Sequence, residues 1–281
     1  MTVTAVIFYA YHETEPCRFN LDYFVNFGGI LPQHEYIFII NGKTCSVDLP
    51  SSRENVHVIS RENKGYDFGA FHTGLEFFFH GLDSPFRKKN IDFFVFLNAS
   101  VIGPITHNSC DWDWVHYFHH LFVEDPSVRL YGTSLVCLSE KDEGGRGPKI
   151  EGFFWCTDLL GLHLLMKEST IFDDHQSKED VIINGEYGLS NCLLGKYGFN
   201  IGCILTRYHG IDWRKEENWT INEMKHPSRK GSFYGDSINP YETIFHKWYW
   251  HHLPTVNKEV IDHHIERKIS MRNVRCAAHR A

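Results

Sequence analysis

The chain has 281 residues, 42% apolar and 15% aromatic, with a formal net charge of -7 when its 19 histidines are neutral. That composition excludes global disorder and suits one large α/β domain or two small ones. The acidic balance is not the basic footprint of a nucleic-acid binder, and no apolar run approaches the roughly 20 residues of a membrane-spanning helix.

Val3–Tyr9 reads as a first strand, because it lacks the basic n-region of a signal peptide and runs into polar Tyr11-His12-Glu13. Tyr36–Ile40 is a second strand, stopped by the turn Asn41-Gly42, and Val56–Ile59 a short third. The segment Phe68–His80 places Phe71, Leu75, Phe78 and Phe79 on one helical face. Asp92–Leu97 is a buried fourth strand, a helix follows near Trp112–Val123, and Leu130–Val136 is a fifth strand. The strand–helix alternation over residues 1–105 predicts a mostly parallel sheet flanked by helices, with right-handed crossovers. Glu140–Lys149, rich in Gly and charge, reads as a flexible surface loop. Glu151–Asp158 then leads into an apolar helix, Leu159–Met166. A polar segment, Asp173–Asp180, precedes a helix from Gly185 to Lys196, and Gly198–Leu205 returns as a strand. Asp212–Ser232 is polar and loop-like, and residues 256–281 read as a basic C-terminal helix. No linker divides the chain, so a single domain over residues 1–281 is expected, with a shift in composition near residue 105.

The eight cysteines form no Cys-x-x-Cys pair, and several, such as Cys156 and Cys192, lie in apolar runs where free Cys behaves as a small core residue. This reads as a reducing, cytoplasmic compartment without a disulfide framework. The sequons at Asn98 and Asn218 are expected to be unused there. The aromatic excess (22 Phe, 13 Tyr, 7 Trp) fits a large core, and also fits a sugar site, where pyranose CH faces pack on rings.

Two adjoining segments form a half-site. Arg61-Glu62-Asn63-Lys64-Gly65-Tyr66-Asp67-Phe68-Gly69-Ala70 is a polar, Gly-containing turn feeding a helix, which offers free backbone N–H groups and a positive dipole end. The strand Asp92–Leu97 runs into Asn98-Ala99-Ser100-Val101-Ile102-Gly103-Pro104, placing short polar side chains at the carboxyl edge of a sheet, where α/β proteins bind ligands. The pairing resembles the donor half of GT-A glycosyltransferases, in which a strand after such a turn ends in Asp-x-Asp and holds a metal and the sugar nucleotide. Here that position reads Asn98-Ala99-Ser100. Further blocks extend the resemblance over roughly residues 3–205: Glu151–Gly161, and Gly185-Glu186-Tyr187-Gly188-Leu189-Ser190 followed by Lys196-Tyr197-Gly198-Phe199. Asn239-Pro240-Tyr241-Glu242 with Phe245-His246-Lys247 resembles the tail of rhamnan-synthesis-type glycosyltransferases. Size and these blocks together are also similar to chlorovirus-encoded xylosyltransferases that build capsid-protein glycans.

The resemblance implies a GT-A fold, with a nucleotide-sugar half over residues 1–105 and an acceptor half over 106–255. It implies inverting transfer of xylose from UDP-xylose to a fucose-containing glycan acceptor. An inactive glycan- or nucleotide-sugar-binding protein of the same fold is the alternative. Inverting transfer needs one base at the acceptor hydroxyl and charge stabilisation for the departing diphosphate. The family's acidic residue before a helix ending in Gly-Phe falls on Glu186, which also reads as a first-turn Glu favoured by the helix dipole. Asp158, after a strand end, is the rival base or an N-cap. Asp67, in the Gly65–Gly69 turn, is placed for a ribose or sugar hydroxyl, or closes an Asx-turn. Asn63, Lys64 and Tyr66 share that turn on the donor side, where Lys64 or Arg61 could meet phosphate.

Asn98 and Ser100 are weak ligands for magnesium or manganese, which prefer carboxylates, so a divalent metal is not expected to be required. They can still hydrogen-bond a sugar or diphosphate. Without Asp-x-Asp, His246 and Lys247 are the candidates to neutralise the diphosphate, unless they are a plain surface pair. Tyr9, Tyr11 and Asn41 end the first two strands, where the family holds uracil. Glu151, Phe153 and Trp155 are the acceptor candidates. Asp111-Trp112-Asp113 is a literal Asp-x-Asp, but it opens a helix, with Asp111 read as an N-cap. The His pairs at 119–120, 251–252 and 263–264 are neighbours, which on a helix point about 100° apart and do not chelate one ion.

Overall fold

A computed structural model describes residues 4–80, 89–105, 113–142, 145–247, 259 and 261–270. Strands β1 (Ala5–Tyr11), β2 (Glu35–Asn41) and β3 (Val56–Arg61) are followed by α2 (Tyr66–His80) and β4 (Phe93–Asn98), with α1 (Glu15–Asn26) between the first two. Then come α3 (Trp114–Glu124), β5 (Val128–Gly132), the strands β6 (Leu135–Asp142) and β7 (Gly145–Ile150), and β8 (Phe154–Asp158) with α4 (Leu159–Leu165). A helix over residues 178–196, α5, precedes β9 (Asn200–Cys203).

Seven strands form one sheet in the order β3-β2-β1-β4-β8-β5-β9. All neighbours within β3-β2-β1-β4 are parallel, as are β5 and β9, whereas β8 runs antiparallel to both β4 and β5. The long apolar runs reflect burial on both faces, where side chains of one strand alternate between two cores. Val6, Phe8, Ala10, Phe94 and Phe96 pack with Phe68, Phe71 and Leu75 of α2 and Leu162 and Leu165 of α4. Ala5, Ile7, Tyr9, Tyr11, Phe93, Val95 and Leu97 pack with Leu21 and Phe24 of α1 and Trp114 and Phe118 of α3. The expected α/β class with a mostly parallel, helix-flanked sheet is therefore what the chain forms.

Four local expectations change. The fifth strand expected over Leu130–Val136 divides at Thr133-Ser134 into β5 of the large sheet and β6 of a separate pair. Residues 140–142 and 145–149 belong to two paired strands, not a surface loop: β6 pairs antiparallel with β7, Leu135 opposite Ile150 and Val136 opposite Lys149. The glycines that read as flexibility make room instead, since a Cβ on Gly145 would lie 2.1 Å from the Tyr187 ring and one on Gly147 2.9 Å from Trp219. Helix α5 starts seven residues before Gly185, at 178. Ser177 Oγ accepts the Asp180 N–H at 3.0 Å, so polar Lys178, Glu179 and Asp180 form its first turn. It then widens into a π-helix over Val181–Tyr187 and again over Cys192–Lys196. The N-cap of α3 is Asp113, which accepts the His116 N–H at 2.9 Å; Asp111 lies outside the described residues. Of the expected C-terminal helix, residues 261–270 are helical, and the rest of 256–281, apart from residue 259, lies outside them.

Candidate active site

The strand order creates a crevice. From β1 the chain proceeds to β2 on one side and later returns as β4 on the other, so the carboxyl ends of β1 and β4 flank a topological switch point, where ligands of open α/β sheets bind. Because β8 runs the opposite way, its amino end reaches the same edge: Leu97 pairs with Phe154, while Phe93 pairs with Asp158. Residues 151–153 thus stand beside Asn98, whose N–H donates to the Phe153 carbonyl at 3.1 Å.

Asn98 is the node of this edge. Its Nδ2 donates to the Asp67 carboxylate, which α2 presents in its first turn. Its Oδ1 accepts from Ser100 N at 2.9 Å and Ser100 Oγ at 2.5 Å. Burial pushes the Asp67 carboxyl up to about 6, against the opposing influence of Asn98 and of the nearby Lys247 ammonium; the nearby Glu186 charge raises it further. The aspartate therefore titrates close to neutrality.

Glu186 lies in the π-helical turn of α5. One carboxylate oxygen pairs with Lys149 Nζ at 2.8 Å and the other accepts the Gly152 N–H at 3.2 Å. Lys149 is itself buried and lies over the Tyr187 ring, 4.8 Å from its centroid. Hairpin β6–β7 delivers Lys149 and α5 delivers Glu186, two elements whose meeting no local pattern announces. Reading 140–149 as a loop concealed Lys149.

The block Asn239–Lys247 is a delivery device. Asn239 accepts the Tyr241 N–H at 3.0 Å, capping the short helix Pro240–Thr243, and Glu242 accepts the Thr206 N–H at 2.7 Å. Phe245 stacks on Phe154, 4.8 Å between centroids. The His246 backbone exchanges two hydrogen bonds with Ile102, at 2.9 and 3.0 Å. This pairing places Lys247 over Phe153, 4.9 Å from the ring centroid, near both Asp67 and Glu151.

Several expected roles are corrected by placement. His246 is buried, and burial lowers its imidazole to about 4, so at neutral pH it is uncharged and Lys247 is the cation of the pair. Asp158 lies at the opposite edge of the sheet, where it caps α4 through Gly161 N at 2.8 Å and pairs with Arg129 at 3.2 Å. It is not brought to the site as a base. Trp155 is fully buried, stacked on Phe96 at 3.9 Å, and Phe153 lies beneath Lys247, so neither ring faces a sugar. Glu151 is buried too, bonded by Ser134 Oγ, Ser228 Oγ at 2.6 Å and His226 Nε2 at 3.3 Å. Those partners and the Lys247 charge hold its carboxyl below the usual range despite burial. It anchors the segment around residues 226–228 instead of touching an acceptor.

The donor turn also differs from expectation. Arg61 and Lys64 both pair with Asp174, at 2.7 Å each, and Arg61 further donates to Asn41 Oδ1 at 3.1 Å. The glycines serve that contact: a Cβ on Gly65 would fall 2.4 Å, and one on Gly69 2.6 Å, from Asp174 Oδ1. Asn63 is exposed and Tyr66 is 45% exposed with φ +54°, so both reach solvent at the turn. Tyr9 is packed in the core between Phe24 and Phe38, and Tyr11 donates to Glu13 at 2.7 Å.

The polar groups of the strand end are bonded to one another. Asp67 is the carboxylate that reaches it, Asn98 turns an N–H toward that carboxylate, and the Asn98 oxygen is taken by Ser100. Among the described residues no group of three or more His, Cys, Asp or Glu is placed to hold a metal.

No family model matches the chain, and no curated protein sequence matches it. Solved structures with similar architecture include the mannosyltransferase PcManGT from Pyrobaculum calidifontis, in complex with GDP-Man and Mn2+, at 13% identity and TM-score 0.42 over 71% of this chain. A cytidylyltransferase from Leptospira borgpetersenii is 11% identical at TM-score 0.39 over 76% of this chain and 80% of its own. TarS residues 1–349 from S. aureus are 11% identical at TM-score 0.39 over 74% of this chain and 59% of its own. The chain spans about half, 53%, of the mannosyltransferase it matches. At this level the likeness assigns neither activity nor ligand, and the chemistry rests on the site's own residues.

Proposed function

We propose that the protein is a GT-A-type inverting glycosyltransferase that moves xylose from UDP-xylose to a fucose-containing glycan of a viral capsid glycoprotein, in the cytoplasm of an infected host cell. The observation that carries transfer chemistry is the convergence, at one sheet edge, of Asp67, Asn98, Ser100, Glu186 and Lys247. The sugar and the acceptor rest on the resemblance of the motif blocks. In this reading Glu186 takes the proton of the acceptor hydroxyl as its oxygen bonds to the anomeric carbon from the face opposite the leaving group. The bond from that carbon to the diphosphate oxygen breaks, and UDP leaves with the electron pair. Lys149 and the Gly152 N–H orient the base, and a carboxylate with about four lone-pair sites keeps room for the hydroxyl. The Lys247 ammonium meets the developing diphosphate charge, in place of a metal. Asp67, Asn98 and Ser100 hydrogen-bond the donor.

A donor screen with UDP-xylose, UDP-glucose, UDP-galactose and GDP-fucose, scored by product detection, tests the reading. UDP-xylose is expected to be turned over, and Glu186→Gln to lower kcat by about 10²–10⁴-fold with donor affinity little changed. The second reading, a nucleotide-sugar-binding protein without catalysis, draws on the engagement of both Glu186 oxygens by Lys149 and Gly152. Donor binding without transfer or hydrolysis by the wild-type chain selects it.

A further inference from the structure

We infer that Asp174 is a positioning residue for the transfer: by bridging Arg61 and Lys64, it sets the turn that carries Asp67 against the helix that carries Glu186. The inference rests on the reading of this edge as a sugar-transfer site. The segment between α4 and α5 shows no local motif beyond two adjacent aspartates, Asp173 and Asp174, yet it makes the densest charged contact of the molecule's donor turn.

The Arg61 guanidinium is nearly buried, so it needs a carboxylate beside it. One of its nitrogens meets Asp174; another donates to Asn41 Oδ1 and to the Lys64 carbonyl, at 3.1 and 2.6 Å, closing the turn between β3 and α2. Lys64 covers the second Asp174 oxygen from the solvent side. Both carboxylate oxygens are thereby engaged, and Asp174 acts through the two cations, not on a substrate. The fit is steric as well as ionic, since Gly65 and Gly69 leave space that any side chain would take from Asp174. Asp67 lies between those two glycines.

The other end of the clamp leads to Glu186. Gly65 forms an antiparallel bridge with His175. His175 Nδ1 lies 3.4 Å from Asp180 Oδ1, and its ring stands edge-on to Phe68, with 6.0 Å between centroids. Asp180 accepts the Gln176 N–H at 2.9 Å and Asn184 Nδ2 at 2.7 Å, tying the segment to the π-helical turn that holds Glu186. Asp67 and Glu186 thus belong to elements distant in sequence, and Asp174 is the contact that registers one against the other. A misplacement of about 1 Å between such groups costs on the order of 10²-fold in rate.

The test uses the full chain. Asp174→Asn keeps the shape and removes the charge, with folding checked by thermal denaturation. Expected are a fall in kcat of about 10–100-fold, a smaller loss of UDP affinity by calorimetry, and a displaced acid limb in the pH profile of kcat/KM as the Asp67 environment shifts. Lys64→Met removes only the solvent-side arm and lowers kcat by a smaller factor, which keeps the inference testable if Asp174→Asn does not fold. Folded Asp174→Asn with the wild-type kcat and pH profile overturns the inference. So does an unfolded Asp174→Asn accompanied by a Lys64→Met chain with wild-type kcat and profile, because Asp174 then serves stability alone. A wild-type chain that binds UDP but transfers no sugar to any acceptor is a different result: it overturns the transfer reading, and this inference with it.

Discussion

Asp67 shows how one side chain can tie stability to pH at a site. Its folded carboxyl titrates at about 6, above the roughly 3.9 of an unfolded aspartate, because burial disfavours the charge. The folded chain therefore holds this proton more tightly. Its contribution to stability is largest below the unfolded value, is lost as pH rises from about 4 to about 6, and stays lost above that. Asp67→Asn, with no proton to lose, should flatten this part of the stability–pH curve, measured by urea unfolding at pH 4 through 7. An unchanged slope in the variant would mean that another group sets it. Asp158 offers the contrast. At the far edge it caps α4 and pairs with Arg129, so Asp158→Asn should cost at most about 1–2 kcal/mol of stability, as a weakened N-cap does. It should leave turnover unchanged in the donor assay.

At the scale of elements, the turn between β3 and α2 carries the most constraint. Gly65 has φ +68°, and its missing Cβ is space used by Asp174. Gly65→Ala combines a left-handed backbone cost with overpacking, and a loss of about 2–4 kcal/mol is expected in chemical denaturation. Strands β1 to β4 and α2 were legible because their apolar periodicity is local, as Phe71 and Leu75 show along one buried face, although Phe79, expected on that face, is exposed. The placement of the candidate residues was legible where they sit at strand ends, as with Asn98 and Ser100, or in a compact turn, as with Asp67. Lys149, Asp174 and the Glu151 anchors Ser134, His226 and Ser228 were not. Each meets its partner across a long stretch of chain, and Gly-rich or polar segments such as 140–149 and 173–180 look alike whether they form loops or clamp a site. Trp155 misled in the opposite direction, because an aromatic residue beside a binding edge has the same local signature as one buried in the sheet.

Over the whole molecule, charge at the candidate edge is set by side chains converging from α2, α5, hairpin β6–β7, the connection that carries Glu151 and the segment after Pro240–Thr243. A donor set of one carboxylate and an amide already bonded to it gives a divalent ion little to bind. Exhaustive EDTA treatment should therefore leave turnover unchanged, and Lys247→Met should weaken UDP binding by about tenfold or more, the scale of one charge-assisted contact. Activity abolished by EDTA and restored by manganese would mean that the cation at this edge is a metal and that Lys247 has another task.

The pairing of His246 with Ile102 has a consequence in the order of synthesis. The sheet edge, the donor turn and Glu186 all leave the ribosome before residue 247, and until the late segment docks on Ile102 the edge carries Asp67, Glu151 and Glu186 without Lys247. A nascent chain at that stage carries the three carboxylates but lacks the ammonium that the proposed function assigns to the diphosphate. In the proposed transfer reading, full donor binding therefore waits for residue 247 to emerge and dock, and ribosome-bound chains stalled before residue 240 should bind UDP at least about tenfold more weakly than chains extended well beyond residue 247.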